Sequence, residues 1–385
     1  MKDEDISLTI YKEELEKYMS YLNTKEKWET VKYSKKEINK AGKIIAQNSC
    51  TEEERNEALE ILNNWRASHA YPLQVIASNL RRSNKKALVV QRLKRLESIV
   101  GKLARFENMN LYRMQDLGGC RVIVSSLEEV YQAVDRYKSS RVRHILKRED
   151  DYIKNPKESG YRCYHLVYEF QSDKKETYNK NMLIEIQFRT SMQHMWATAV
   201  EMMGIYTKSA LKASIGDADT LKFFSLVSSI FAILEESNKV PGTPTSPIDL
   251  IKEIKDIDSR YNIVSRLSAL SVAIEHMSSV EGRKNTKKSG YFILQLNYKR
   301  KSVHITAFKP SEVEFATNVY DRIEKEAGKN IDAVLVSASS FEALKLAYPN
   351  YFTDISEFVG TMRKILADDF LEDLAVSVSE IIENQ

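Results

Sequence analysis

Alternation in the segment NMLIEIQF, residues 181–188, sets the tightest limit on the fold. Successive side chains of a strand point to opposite faces. Met182, Ile184, Ile186 and Phe188 therefore share one face, and Leu183, Glu185, Gln187 and Arg189 the other. The first face suits a core. The second aligns a carboxylate, an amide and a guanidinium, groups that are costly to bury unless paired or bound. Two more runs are strand-like: CRVIV at 120–124 and YRCYHLVYEF at 161–170. On the latter, Tyr161, Cys163, His165 and Val167 fall on one face. The two strands could line one site.

Around these strands the chain reads as helical. Up to about residue 108, apolar residues recur at three- and four-residue spacing. The stretch 88–106 is expected to be one helix, with Val89, Leu93, Leu96, Val100 and Leu103 on the core stripe. Lys94, Ser98, Lys102 and Arg105 lie nearly opposite. Helices are expected again from Ser191 to about Glu236. SNKVPGTPTSP at 237–247 concentrates Pro, Gly, Ser and Thr and reads as a linker. Beyond it, a helical stretch at 248–280, a hairpin of YFILQLNY and KSVHITAF, a helix near 310–328, a strand at 330–338 and two more helices make a small α+β domain.

Composition narrows the class. With 385 residues, 43% hydrophobic and 29% charged, the chain is a globular protein of two or three domains. Its 3 cysteines are far apart, so neither a disulfide framework nor a cysteine-built zinc site is expected. The acidic, amphipathic N-terminus is unlike a signal peptide. The longest apolar stretch, 223–234, is broken by serines and falls short of the roughly 20 residues that span a bilayer. A cytoplasmic protein without a membrane segment is expected. The net charge of +4 is modest, but basic residues cluster. Arg81, Arg82, Lys85 and Lys86 lead one run, and Arg141 and Arg143 sit in another. Such excesses attract phosphates, although a solvated helix face has the same composition.

Four clusters carry chemistry. In QRLKRLESIVGKL, the cations Arg92, Lys94 and Lys102, with Ser98 beside them, can clamp polyphosphate oxygens. In RMQDLGGCRVIV, Asp116 precedes a strand, where a carboxylate can bind Mg²⁺ or act as a turn residue or cap. In DYIKNPKESGYRCYH, Tyr161 follows a turn-rich loop. Its ring can stack on a base or pack on the sheet. In LIEIQFRTSMQHMWATAVE, Glu185 can serve as a second metal ligand or a general base, or pair with Arg189.

Taken in order, R-x-K-x₃-S-x₃-K, the Asp116 segment, P-K-x-x-G-Y-R-x-x-H and E-I-Q-x-R-T resemble the synthetase domain of the RelA/SpoT family over about residues 60–210. The resemblance implies a mixed five-stranded, nucleotidyltransferase-like sheet flanked by helices. It also implies Mg²⁺-dependent transfer of pyrophosphate from ATP to a ribose 3′-hydroxyl. Arg92, Lys94, Ser98, Lys102 and Arg121 match ATP-binding positions. Asp116 and Glu185 match the catalytic and metal-binding acids. Tyr161, His165, Gln187 and Arg189 fall to the acceptor side.

W-A-T-A-V-E at 196–201 and A-Y-P-N-Y-F at 347–352 are similar to fused toxin–antitoxin small alarmone synthetases of the CapRel type. That resemblance implies the terminal adenosine of tRNA as acceptor, with GDP or GTP as the alternative. The implied domains are a pyrophosphokinase at 1–236, a linker at 237–247, and a regulatory domain at 248–385. The last would be zinc-finger-like without zinc ligands. Tyr348 and Tyr351 would block the ATP site, or pack in that domain's own core. A phage protein would be the trigger.

Overall fold

The computed structural model describes residues 28–47, 50–94, 96–106, 109–206 and 218–269. It also describes the strands at 291–297, 302–308 and 331–337, residues 315, 319 and 323, and the segment 351–367. The chain divides into two compact units. One is Met1–Asp151 with Cys163–Thr190, and the other is Tyr152–Arg162 with Ser191–Gln385.

The first unit opens with helices α1 (Lys35–Ala46), α2 (Glu52–Ser68) and α3 (Ala70–Ser83). Both α1 and α2 start on capping boxes, Ser34 with Glu37 and Thr51 with Glu54, which satisfy N–H groups that a helix start leaves unpaired. Then come β1 (Leu88–Leu93), α4 (Leu96–Arg105), β2 (Gly118–Val124), α5 (Leu127–Lys138), β3 (Ile145–Asp151), β4 (Tyr164–Glu169) and β5 (Leu183–Thr190). The strands form a mixed five-stranded sheet in the order β1-β2-β5-β4-β3. Only β2 and β5 run parallel.

One sheet face is core. Cys120, Val122, Leu166, Ile184, Ile186 and Phe188 are buried, and α3 and α5 pack against β2. Each fully buried aliphatic side chain contributes about 1.5–3 kcal/mol. The other face follows from register. Gly119 lies opposite Glu185 and Arg121 opposite Gln187, while His165 is opposite Gln187 on the other side. The polar row of 181–189 is thus flanked by an arginine on β2 and a histidine on β4.

One expectation is corrected by the fold. The stretch 88–106 is not one helix. Residues 88–93 pair antiparallel with β2, and helix begins at Leu96. LVV in 88–90 is β-branched enough to extend an available sheet edge, and pairing overrides the helical spacing. Among the described side chains of α4, Ile99 and Leu103 are buried and Val100 is half-buried. Strand β3, ILKREDD, carries charges of both signs and has no counterpart among the strand-like runs of the sequence. As a charged, mostly exposed edge strand it lacks the alternation that marks a strand in sequence.

The second unit holds α6 (Ser191–Tyr206), α7 (Ala218–Leu234), α8 (Pro247–Tyr261) and α9 (Tyr351–Ile365), and a short helix over 263–269. It also holds an antiparallel sheet of β6 (Tyr291–Asn297), β7 (Ser302–Phe308) and β8 (Ile331–Ser337), in the order β7-β6-β8. The expected hairpin is β6–β7. The helices share one core that includes Trp196, Phe224, Phe231, Ile254 and Phe358.

Residues 237–247 do not divide these units. Val240 is buried and its N–H donates to Ser229 Oγ, and Ser229 and Thr243 share a 2.7 Å hydrogen bond. The segment is a fastened turn within one core, because the helices on both sides bury into that core. Among the described residues, no helix is long and apolar enough to cross a membrane.

Candidate active site

At the end of the sheet where β1 stops and β2 starts, three charges meet. Lys94 follows β1 directly. Its N–H donates to Leu117 O over 2.8 Å, which pins it beside the turn into β2. Lys94 Nζ lies 2.7 Å from Asp116 Oδ2, and Lys102 Nζ, reaching from α4, lies 3.1 Å from Oδ1. All three side chains keep 17–29% exposure, so the cluster is shielded yet open to a ligand. Gly118 lets the sheet close here. A Cβ on it would come 2.7 Å from Ile184 Cδ1.

Glu185 sits on β5, opposite Gly119 of β2. His165 Nδ1 lies 3.2 Å from Glu185 Oε1, and Gln187 Nε2 donates to Oε2 over 2.6 Å. Arg189, itself buried, donates to Gln187 Oε1. Burial is the largest influence on the Glu185 carboxyl and alone would raise its pKa. The hydrogen bond and charge of His165, the Gln187 amide and the charge of Lys102 together outweigh it and bring the pKa down to about 2. The Lys102 ammonium thus acts on both acids.

The expected residues are distributed as follows. Lys94, Lys102 and Asp116 are joined, and so are His165, Glu185, Gln187 and Arg189. Arg121 is half-buried on the same sheet face as Gln187, and Ser98 is half-buried on α4. Arg92 pairs in register with Gly119, and its side chain lies outside the described residues. Tyr348 lies outside them, as does the side chain of Tyr351, the first residue of α9.

Tyr161 belongs to the second unit. Its ring is half-buried, edge-on to Trp196 with centroids 6.5 Å apart, and Lys157 Nζ lies 5.4 Å from its centroid. Gly160 before it has φ +89°, and a Cβ there would meet Trp196 Cζ2 at 2.8 Å. Arg162 after it is 2% exposed. It bonds Ser228 and Ser237 and pairs with Glu235 at 2.7 Å. Ser228 Oγ also donates to Gly160 O. Sequence reasoning missed this anchoring of the Tyr161 loop. The signal present was an arginine directly after Gly-Tyr, and its partners lie 66–75 residues on.

A divalent cation that works on phosphates is commonly held by one or two carboxylates, with phosphate and water completing its shell. Asp116 and Glu185 fit that need. Among the described residues, no group of three or more His, Cys, Asp or Glu could hold a metal by itself.

Residues 91–210 match the family model described as "Region found in RelA / SpoT proteins". The stretch that builds the site is therefore RelA/SpoT-like. Among curated proteins, the chain is 37% identical over 115 residues to GTP pyrophosphokinase YjbM of Bacillus subtilis, spanning 29% of this chain and 52% of that protein. It is 35% identical over 115 residues to GTP pyrophosphokinase YwaC of the same organism, spanning 28% and 52%. The chain thus spans about half the length of these relatives. A GTP pyrophosphokinase family protein from Streptococcus pneumoniae is 28% identical, covering 49% of this chain and 91% of that one with a TM-score of 0.38.

Proposed function

We propose that the chain transfers the β,γ-pyrophosphate of ATP to a ribose hydroxyl. One observation carries the reading: within the RelA/SpoT-matching stretch, Lys102 acts both on Asp116, a carboxylate held by two lysines at the turn into β2, and on Glu185, a strongly acidic carboxylate on β5. Lys94 and Lys102 would exchange Asp116 for triphosphate oxygens, with Arg92, Ser98 and Arg121 as further contacts. Asp116 and Glu185 would hold Mg²⁺, which supplies charge neutralisation at the phosphates. The acceptor oxygen bonds to the β-phosphorus, and the bond from that phosphorus to the α,β-bridging oxygen breaks. AMP leaves, and the hydroxyl, hydrogen-bonded to Glu185, gives up its proton to water as the new bond forms. His165 and Gln187 orient Glu185, and Tyr161 stacks on the acceptor base.

The acceptor in this reading is the terminal adenosine of tRNA, so that translation stops. The exposed Arg81, Arg82, Lys85, Lys86, Arg141 and Arg143 support it as phosphate contacts. A second reading, alarmone synthesis from GDP or GTP, is favoured by the names of the curated relatives. The C-terminal region would restrain the enzyme until a partner, such as a phage protein in the cytoplasm, binds it. Supporting this, α9 packs in the same core as the helix that anchors the Tyr161 loop. Incubation with ATP labelled on its γ-phosphate and either tRNA or GDP tests the acceptor. Label on tRNA alone is expected. Label on GDP alone would replace the first reading by the second.

A further inference from the structure

We propose that Arg189 is a positioning residue for Glu185, acting through the side-chain amide of Gln187. Arg189 is 2% exposed, too buried to serve as a contact for an acceptor. Its guanidinium donates to Gln187 Oε1, and Gln187 Nε2 donates to Glu185 Oε2 over 2.6 Å. A guanidinium only donates, an ionised carboxylate only accepts, and an amide has one end of each kind. The order Arg189, Gln187, Glu185 therefore admits a single amide orientation. Turned over, the amide would set N–H against N–H at Arg189 and oxygen against oxygen at Glu185. Arg189 thus fixes which end of Gln187 meets the carboxylate.

The consequence is geometric. With Oε2 held by Gln187 and Oε1 beside His165 Nδ1 at 3.2 Å, the carboxylate plane is set from both sides. Alternation along β5 places all three residues on one face. Without Arg189 the contact that disfavours the turned-over amide at Gln187 Oε1 is lost, and Glu185 loses its fixed aim at the reacting hydroxyl. Rate depends steeply on such alignment.

This inference rests on the reading of Glu185 as the group that meets the acceptor hydroxyl. The test is a kinetic double-mutant cycle of Arg189→Leu and Gln187→Met, with each protein checked for cooperative thermal unfolding. Each single change should lower kcat at least about tenfold, with KM for ATP and for acceptor within about twofold. The double mutant should be no slower than Gln187→Met alone, because Arg189 has nothing left to orient. Arg189→Lys, which also only donates, should recover part of the rate. Losses that multiply in the double mutant, or a rise in acceptor KM with kcat unchanged, would overturn the proposal. Should Arg189→Leu not fold, the cycle runs with Arg189→Lys, whose loss must likewise vanish beside Gln187→Met. Glu185→Gln is assayed in parallel. Wild-type turnover there would remove the underlying reading, whereas an inactive Glu185→Gln beside a fully active Arg189→Leu would remove this inference alone.

Discussion

His69, at the junction of α2 and α3, has no exposed surface. Its Nδ1 lies 2.7 Å from Trp65 O, and its ring meets the Trp65 ring edge-on with centroids 4.6 Å apart. Burial, against a smaller opposing effect of the Trp65 carbonyl, lowers its pKa to about 4. The folded state therefore keeps His69 neutral, while the unfolded chain takes up a proton below its ordinary value of 6.5. Stability is full above that pH, is lost as pH falls towards 4, and then levels off. The shift corresponds to about 3 kcal/mol. Urea unfolding at pH 7 and pH 4.5 should show the wild type losing markedly more stability than His69→Gln. Parallel losses in the two proteins would assign the acid sensitivity to other groups.

At this scale the site was legible where chemistry follows from local spacing. Glu185, Gln187 and Arg189 alternate, so they had to share a face, and they do. The pairing of Lys94 and Lys102 with Asp116 was not legible. It spans 22 and 14 residues and depends on where β1 ends. The burial of His69 left no local signal either.

Among elements, the contrast between two glycines is informative. Gly160 closes the loop before Tyr161 with φ +89°, and an added Cβ would come within 3.1 Å of Phe224 O and Ser225 Cα, and closer still to Trp196. Backbone strain and overpacking together should cost Gly160→Ala about 2–4 kcal/mol. Gly101 lies inside α4 with nothing within 4 Å of such a Cβ. There the same substitution removes only backbone freedom and should stabilise by about 0.5–1 kcal/mol. Chemical denaturation of both variants checks the opposite signs. Equal effects would mean that the Trp196 contact does not confine the loop.

Legibility among elements followed the strength of the competing signals. The hairpin of β6 and β7 and the strands β2 and β5 were evident from β-branched, alternating runs. The helix expected over 88–106 failed because a strand can also show apolar residues three and four apart when it is short. Sheet pairing, which sequence spacing does not contain, decided the outcome. Strand β3 escaped notice because its edge position tolerates charge.

For the whole molecule, composition indicated more than one compact unit, and the fold divides at positions that composition does not mark. Proline and glycine in 237–247 read as a linker, yet the second unit takes in 152–162 and resumes at Ser191. The reason is physical. Arg162 and Glu235 need each other once buried, since either alone would leave an uncompensated charge at a cost of about 3–5 kcal/mol. That pair belongs to one unit, and no reading of local composition contains it. The candidate acceptor tyrosine and the C-terminal helix α9 are consequently built on one core.

If a whole pyrophosphate leaves ATP, the nucleotide product is AMP, and its release is the direct readout. Wild-type protein with ATP, Mg²⁺ and either tRNA or GDP should release AMP in step with labelled acceptor. Folded Asp116→Asn should release it at least about a hundredfold more slowly. Release of ADP in place of AMP, or equal AMP release by wild type and Asp116→Asn, would contradict the account.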